Sequence, residues 1–152
     1  MDNRVRRATE SDIDAVVPLF DAYRQFYHQP SDLPRARGWL RDRLGRDESV
    51  VLLAERDGTA VGFTQLYPMF SSVRTARLWI LNDLFVTADA RRHGVARALL
   101  DAAARFGRED GAAGLMLETG SDNAAARALY RAAGWHEDAN QWYSLNFGPA
   151  HG

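Results

Sequence analysis

The chain has 152 residues, 46% apolar and 26% charged, with a net charge of −1, the make-up of one ordinary globular domain spanning 1–152. It has no cysteine, and all 19 of its Lys or Arg positions are arginine, which excludes disulfides, thiolate metal sites, a cysteine nucleophile, Schiff-base chemistry and a phosphate-loop lysine. A near-neutral chain lacks the basic face of a general nucleic-acid binder, no apolar run approaches the roughly 18 residues of a membrane span, and a cytoplasmic protein is expected because no apolar core follows the first charges.

In chain order, Val5 to Ala8 reads as a first strand, and Thr9 with Asp12 resembles a capping box. The stripe Ile13, Val16, Val17, Phe20, Tyr23, Tyr27 has helical spacing, Pro30 to Pro34 breaks it, and a second helix covers Arg35 to Leu44. Ser49 to Glu55 is β-rich, and Asp57-Gly58 signals a hairpin into Ala60 to Tyr67. Ala76 to Val86 is a long strand interrupted by Asn82-Asp83. A helix starting at Asp89 would bury Val95, Leu99, Ala102 and Phe106. Leu115 to Thr119 follows as a strand, Ser121 or Asp122 caps a helix through Ala133, Gly134 stops it, and Gln141 to Phe147 is a closing strand. The order β-α-α-β-β-β-α-β-α-β implies an α/β (α+β) fold, a mixed sheet with helices on both faces.

The junction LFVTADARRHGVARALL carries the chemical information. A strand ends at Val86, and a helix opens near Arg91, Arg92, His93, Gly94, Val95, Ala96 and Arg97. The unpaired amides and partial positive charge of a helix N-terminus attract phosphate. Gly94 and Ala96 remove side-chain bulk there, and the arginines add donors. A plain surface helix with exposed arginines fits the same residues. The segment is neither a phosphate-loop nor a dinucleotide-binding glycine motif.

The pattern Arg91-x-x-Gly94-x-Ala96, after Leu84-Phe85-Val86, resembles the acetyl-CoA signature Arg/Gln-x-x-Gly-x-Gly/Ala of the GNAT acetyltransferases. A second block, Asn123, Ala126, Leu129, Tyr130 and Gly134-Trp135, is similar to the family's Asn-x-x-Ala-x-x-Leu-Tyr-x-x-x-Gly-Phe, with Trp in place of Phe. The element order is also the family's, so the resemblance runs from Val5 to Phe147. It implies a mostly antiparallel sheet and acetyl-CoA as co-substrate. Its pantetheine would pair with the backbone of Leu84, Phe85 and Val86, in a gap between the fourth and fifth strands opened by a bulge at Asn82-Asp83. Its pyrophosphate would lie on the amides of Arg92 to Arg97, its pantetheine would bond Asn123, and its sulfur would lie near Tyr130. A homodimer through the C-terminal strand is implied as well. A local likeness, FTQLYPMFSSV with WILNDLFV, is similar to the histone and polyamine acetyltransferase branch.

Amine attack on a thioester needs a neutral amine, although a free alkylamine has a pKa of about 10.4. It also needs a donor for the carbonyl oxygen, for which a strand amide near Phe85 suits, and a proton for the leaving thiolate. Tyr130 is the candidate acid, though its neighbours Ala126, Leu129 and Ala133 equally suit a core aromatic. Related polyamine enzymes place Glu-Asp where this chain has Asn82-Asp83, so Asp83 and Glu118 are the candidate bases. Both also fit structural roles. The acceptor cleft is expected to involve Tyr23, Tyr27, His28, Trp79 and Asn82, with Phe26, Tyr67 and Phe70 nearby, aromatics that suit a cationic amine. A small amine, a polyamine or an amino-acid amine is expected, with a protein lysine as another acceptor. The histidines, His28, His93, His136 and His151, have no metal-like spacing, so no metal is expected. A non-catalytic acyl-CoA sensor shares the cofactor segment and is the alternative reading.

Overall fold

Positive φ at Asp57 and Gly58, 52° and 78°, closes the predicted hairpin, with the backbone sign that matches strand twist. In the computed structural model, which describes residues 3–148, that hairpin joins β2 (Val50–Arg56) to β3 (Thr59–Ser71). These strands lie in a five-stranded sheet with β1 (Arg4–Arg7), β4 (Ala76–Val86) and β5 (Gly114–Met116), ordered β1-β2-β3-β4-β5. The first four are antiparallel, whereas β5 joins β4 in parallel. Such a joint needs a crossover, and the amphipathic helix α3 (Val95–Asp110) supplies it.

Two apolar layers hold the sheet. On one face, α1 (Ile13–Phe26) and α2 (Leu33–Gly45) bury Val16, Phe20 and Leu40 against Val51, Leu53 and Phe63. On the other, α3 buries Val95, Leu99 and Ala103 against Leu52, Leu66 and Leu81, and α4 (Ala124–Ala132) adds Leu129 and Tyr130 beside that layer. Thr9 and Asp12 meet as predicted, with the Thr9 amide donating to Asp12 Oδ2 at 2.8 Å. Arg6 clamps the same carboxylate with two nitrogens and Glu55 with a third, tying β1 to β2 and to the start of α1. The Arg6 pairing, helped by the Thr9 amide, holds the Asp12 carboxyl down to about 2.

Several boundaries depart from expectation, and β3 runs on to Ser71, past the expected Tyr67. A 3-10 turn at Ala88–Ala90 precedes α3, which starts at Val95 and not at Asp89, because left-handed backbone at Arg92 and Gly94 interrupts the helix. Asn123, in place of Ser121 or Asp122, caps α4 by accepting from the Ala126 amide at 3.2 Å. The strand at β5 is confined to Gly114–Met116, because only Leu78, Trp79 and Ile80 of β4 pair with it. The expected closing strand Gln141–Phe147 forms no strand and no ladder among the described residues, and Tyr143 and Phe147 are each 91% exposed. His151 lies outside the described residues.

Gly62 positions the site by letting three elements meet. A Cβ there would lie 2.8 Å from the Phe85 carbonyl oxygen and 3.2 Å from Val95 Cγ1. Strand backbone cannot yield as a side chain can. Gly62→Ala is therefore expected to destabilise the fold by about 1–3 kcal/mol, read as a lower denaturant midpoint at unchanged slope.

Candidate active site

A bulge makes the site. Along β3 and β4 the partners run Gly62–Val86, Phe63–Phe85, Thr64–Leu84 and Gln65–Asp83, and then jump to Leu66–Leu81. Asn82 is the extra residue, as the polar interruption of β4 predicted. Side chains alternate faces along a strand, so one inserted residue reverses the alternation. Leu81 and Trp79 thus face α3, whereas Asp83 faces α1 and α2. Trp79 was expected in the acceptor cleft, and this reversal removes it. Its ring packs against Phe106 at 5.1 Å, and its indole N–H donates to Asp110 Oδ2 at 2.9 Å.

Asp83 is only 2% exposed. Its carboxylate accepts from Gln65 Nε2 at 2.6 Å and from Asn82 Nδ2 at 2.8 Å, and its own carbonyl accepts from Thr64 Oγ1 at 2.7 Å. Burial raises its pKa, and the bonds from Asn82, Gln65 and Tyr23 offset part of that rise. The Tyr23 hydroxyl donates to the Asn82 carbonyl at 3.1 Å, so it pins the bulge from α1. Four phenols gather here. Burial raises the Tyr23 pKa, and Asp83, Tyr27, Tyr67 and Tyr130 raise it further. The Tyr67 phenol is pushed up to about 12 by burial and by Asp83. The Tyr130 phenol is raised by burial and by Tyr27. All three therefore stay protonated at neutral pH. Tyr27 lies 5.1 Å from Tyr23, ring to ring, and is largely exposed.

Other predicted residues fall elsewhere. His28 is an exposed residue with φ 67°, in the turn that ends α1. Glu118 is exposed just beyond β5, where it lines a groove of about 640 Å³ with Met116, Tyr130, Trp135 and Trp142. That groove brings Glu118 and Tyr130 together, while Asp83 sits in the sheet with Tyr23.

The junction after β4 has the features of an anion cradle. The amides of Gly94, Val95, Ala96 and Arg97 are the first of α3 and have no carbonyl one turn back; the Ala98 amide, bonded to Gly94 O at 3.0 Å, is the first that does. Left-handed φ at Arg92 (66°) and Gly94 (76°) turns the loop over this helix end. The Asn3 side chain fixes it, donating to His93 O at 2.7 Å. Arg91 Nε donates to Val86 O at 3.2 Å, and Arg97 Nε to Asp101 Oδ1 at 3.1 Å. Beyond Ile80, β4 has no β5 partner, so Leu84, Phe85 and Val86 border an open gap. An extended diphosphate ligand suits this set: free amides at one end, and at the other a strand edge without a β5 partner, on which Arg91 occupies the Val86 carbonyl. Among the described residues no group of three His, Asp or Glu could hold a metal, and no helix is long and apolar enough to cross a membrane.

Gln65 and Asn3 escaped the sequence reading. Each acts through a partner far along the chain, 18 and 90 residues away, and a glutamine in a strand or an asparagine near a terminus carries no local pattern. Tyr67 was placed in the cleft, but its link to Trp39 was not anticipated.

Comparison with known proteins identifies the family and the fold. The model of the acetyltransferase (GNAT) family matches residues 13–135. An uncharacterized N-acetyltransferase of Bacillus subtilis (strain 168), YhfO, is 49% identical over 143 residues, covering 93% of this chain and 96% of its own. The crystal structure of a probable acetyltransferase superposes with a TM-score of 0.92 at 40% identity, covering 96% of this chain and 99% of that one. An aminoglycoside N-acetyltransferase, AAC(6')-Iy, solved in complex with CoA, shares the fold with a TM-score of 0.80 at 20% identity, over 95% of both chains.

Proposed function

The chain belongs to the GNAT acetyltransferase family, and from that premise we propose that it moves the acetyl group of acetyl-CoA onto a primary amine, both substrates being bound together. The observation that carries the reading is the junction of an open β4 edge with the unpaired amides of α3. Gly94 to Arg97 would hold the pyrophosphate, with Arg91, Arg92 and His93 around it, and Leu84 to Val86 would pair with the pantetheine. Asn123 has Oδ1 committed to its helix cap, which leaves Nδ2 as its donor. The reaction is proposed for one domain, acting in the cytoplasm, with no metal.

The protein's own groups suit the proton transfers. The amine nitrogen forms a bond to the acetyl carbon as the carbon–sulfur bond breaks. Tyr130, protonated at neutral pH, gives its proton to the departing thiolate. The amine's surplus proton passes to the Tyr23 oxygen as the Tyr23 hydroxyl turns from the Asn82 carbonyl and gives its own proton to Asp83. Asp83 is too enclosed to touch an acceptor directly, and its raised pKa makes it a stronger proton acceptor than an ordinary carboxylate. Glu118, at the exposed rim, is the second candidate base. Tyr27 and Asn82 border the acceptor, and His28 lies at the edge of the same turn. An amine panel assayed by release of free coenzyme A thiol tests the reading. Amine-dependent release supports it, and release only with alcohols or water contradicts it.

A homodimer completes the reading. Tyr143, Leu145 and Phe147 alternate in sequence along an exposed segment, and β5 is paired on its β4 side alone among the described residues. The tail of a second copy supplies the missing strand. Sedimentation at micromolar concentration is expected to give a dimer; a monomer would contradict this.

A further inference from the structure

Helices α1 and α2 flank a half-open pocket of about 260 Å³, lined by Phe20 and Arg24 on one and Arg35 and Trp39 on the other. Residues four apart share a helix face, so each helix offers one aromatic ring and one guanidinium to the space. Arg24 is the anomaly. Its Nη1 is shielded from solvent and has no hydrogen-bond partner, and no ion pair reaches it among the described residues. A buried donor left without an acceptor is costly, and a guanidinium fork is shaped for the two oxygens of an anion.

Nearby acids do not fill that role. Asp21 accepts from Gln25 Nε2, Ser31 Oγ and the Asp32 amide at 3.1, 2.7 and 2.8 Å. Asp32 caps α2 and has Arg35 Nε at 3.5 Å. With Arg35 and Asp32 offsetting one another, Arg24 leaves one positive charge, which matches a monoanion. The pocket adjoins the acceptor zone through Trp39, whose indole N–H donates to the Tyr67 hydroxyl at 3.0 Å. Arg24 itself follows Tyr23 in sequence.

We propose that the pocket between α1 and α2 is a carboxylate subsite of the acceptor cleft, in which Arg24 grips an acid group on the same molecule whose amine is acetylated. This rests on the transfer reading above. The acceptor class is then an amino acid or similar amino-carboxylate, with its apolar stem against Phe20 and Trp39. A polyamine, which carries a second cation to Arg24, is disfavoured.

Thiol release is measured on pairs that differ by one carboxylate, lysine against cadaverine and phenylalanine against phenethylamine, with phosphoethanolamine as a phosphate-bearing amine. The amino acids are expected to be the better substrates. Arg24→Gln is expected to lower their kcat/KM roughly 10- to 100-fold, mostly through KM, with the decarboxylated amines unchanged. Arg24→Lys is expected to recover part of the loss. Equal use of both members of each pair, an equal effect of Arg24→Gln on both, or a preference for phosphoethanolamine overturns the carboxylate subsite while leaving amine transfer standing. If no amine releases thiol, the transfer reading falls, and calorimetric titration with lysine and phenylalanine in the presence of coenzyme A decides the subsite. Binding lost in Arg24→Gln upholds it; binding absent or unaltered overturns it.

Discussion

Replacing Asp83 with asparagine is expected to cut acetyl transfer at neutral pH about 100-fold while leaving a protein at least as thermostable as the native one. The rate falls because an amide cannot take the proton relayed through Tyr23, so the acidic limb of the pH–rate profile disappears with it. The stability follows from the sign of the pKa shift. Burial raises the folded-state pKa of Asp83 above its ordinary 3.8, so the folded protein binds this proton more tightly than the unfolded chain does. That advantage is complete below 3.8 and is lost as pH rises through the folded value. At neutral pH, above the unfolded value, the buried acid therefore opposes folding, and a neutral isostere relieves it. The neighbouring amide accommodates the change: Gln65 Oε1 is buried without a partner, and a flip of Gln65 turns that oxygen toward the amide nitrogen that the substitution introduces. Thermal melts at neutral pH should show the variant at or above wild type, with the gap closing toward acid. A variant with the native pH–rate profile would remove Asp83 from the proton path.

Tyr130→Phe is expected to lower kcat by about 100-fold and to change KM for acetyl-CoA only slightly. The ring keeps its place against Trp135, 6.3 Å away, and beside the α3 layer, so only the hydroxyl is lost. Burial and Tyr27 raise the Tyr130 pKa, which keeps the proton on the phenol across the working range. Steady-state kinetics against acetyl-CoA separates the cases. A loss in kcat alone marks a proton donor, whereas an unchanged kcat returns Tyr130 to the role of a packing aromatic.

Much of the architecture was legible because it is written in local pattern. β4 was read with its observed bounds, and the break at Asn82-Asp83 was visible as two polar residues inside an apolar run. The consequence of that break was harder to see. Trp79 sits three residues before the bulge and was assigned to the cleft, but the reversal of alternation sends it and Asp83 to opposite faces. The start of α3 was missed because Asp89 resembles a cap, while the deciding feature is the left-handed backbone of Arg92 and Gly94. Tyr143, Leu145 and Phe147 have the alternation of a strand, but a strand needs a neighbour, and none of the described residues provides one. The candidate site was legible only as two motif blocks. The Gln65–Asp83 and Asn3–His93 contacts that organise it join distant parts of the chain and leave no mark on either segment alone.

Isothermal titration with coenzyme A addresses the underlying geometry directly. Saturable binding, weakened when Gly94 is replaced by a β-branched residue that cannot follow its φ of 76°, is the expected result. A folded protein that takes up no coenzyme A would contradict the account at its base, because nothing proposed for Asp83 or Tyr130 can proceed without the acyl donor.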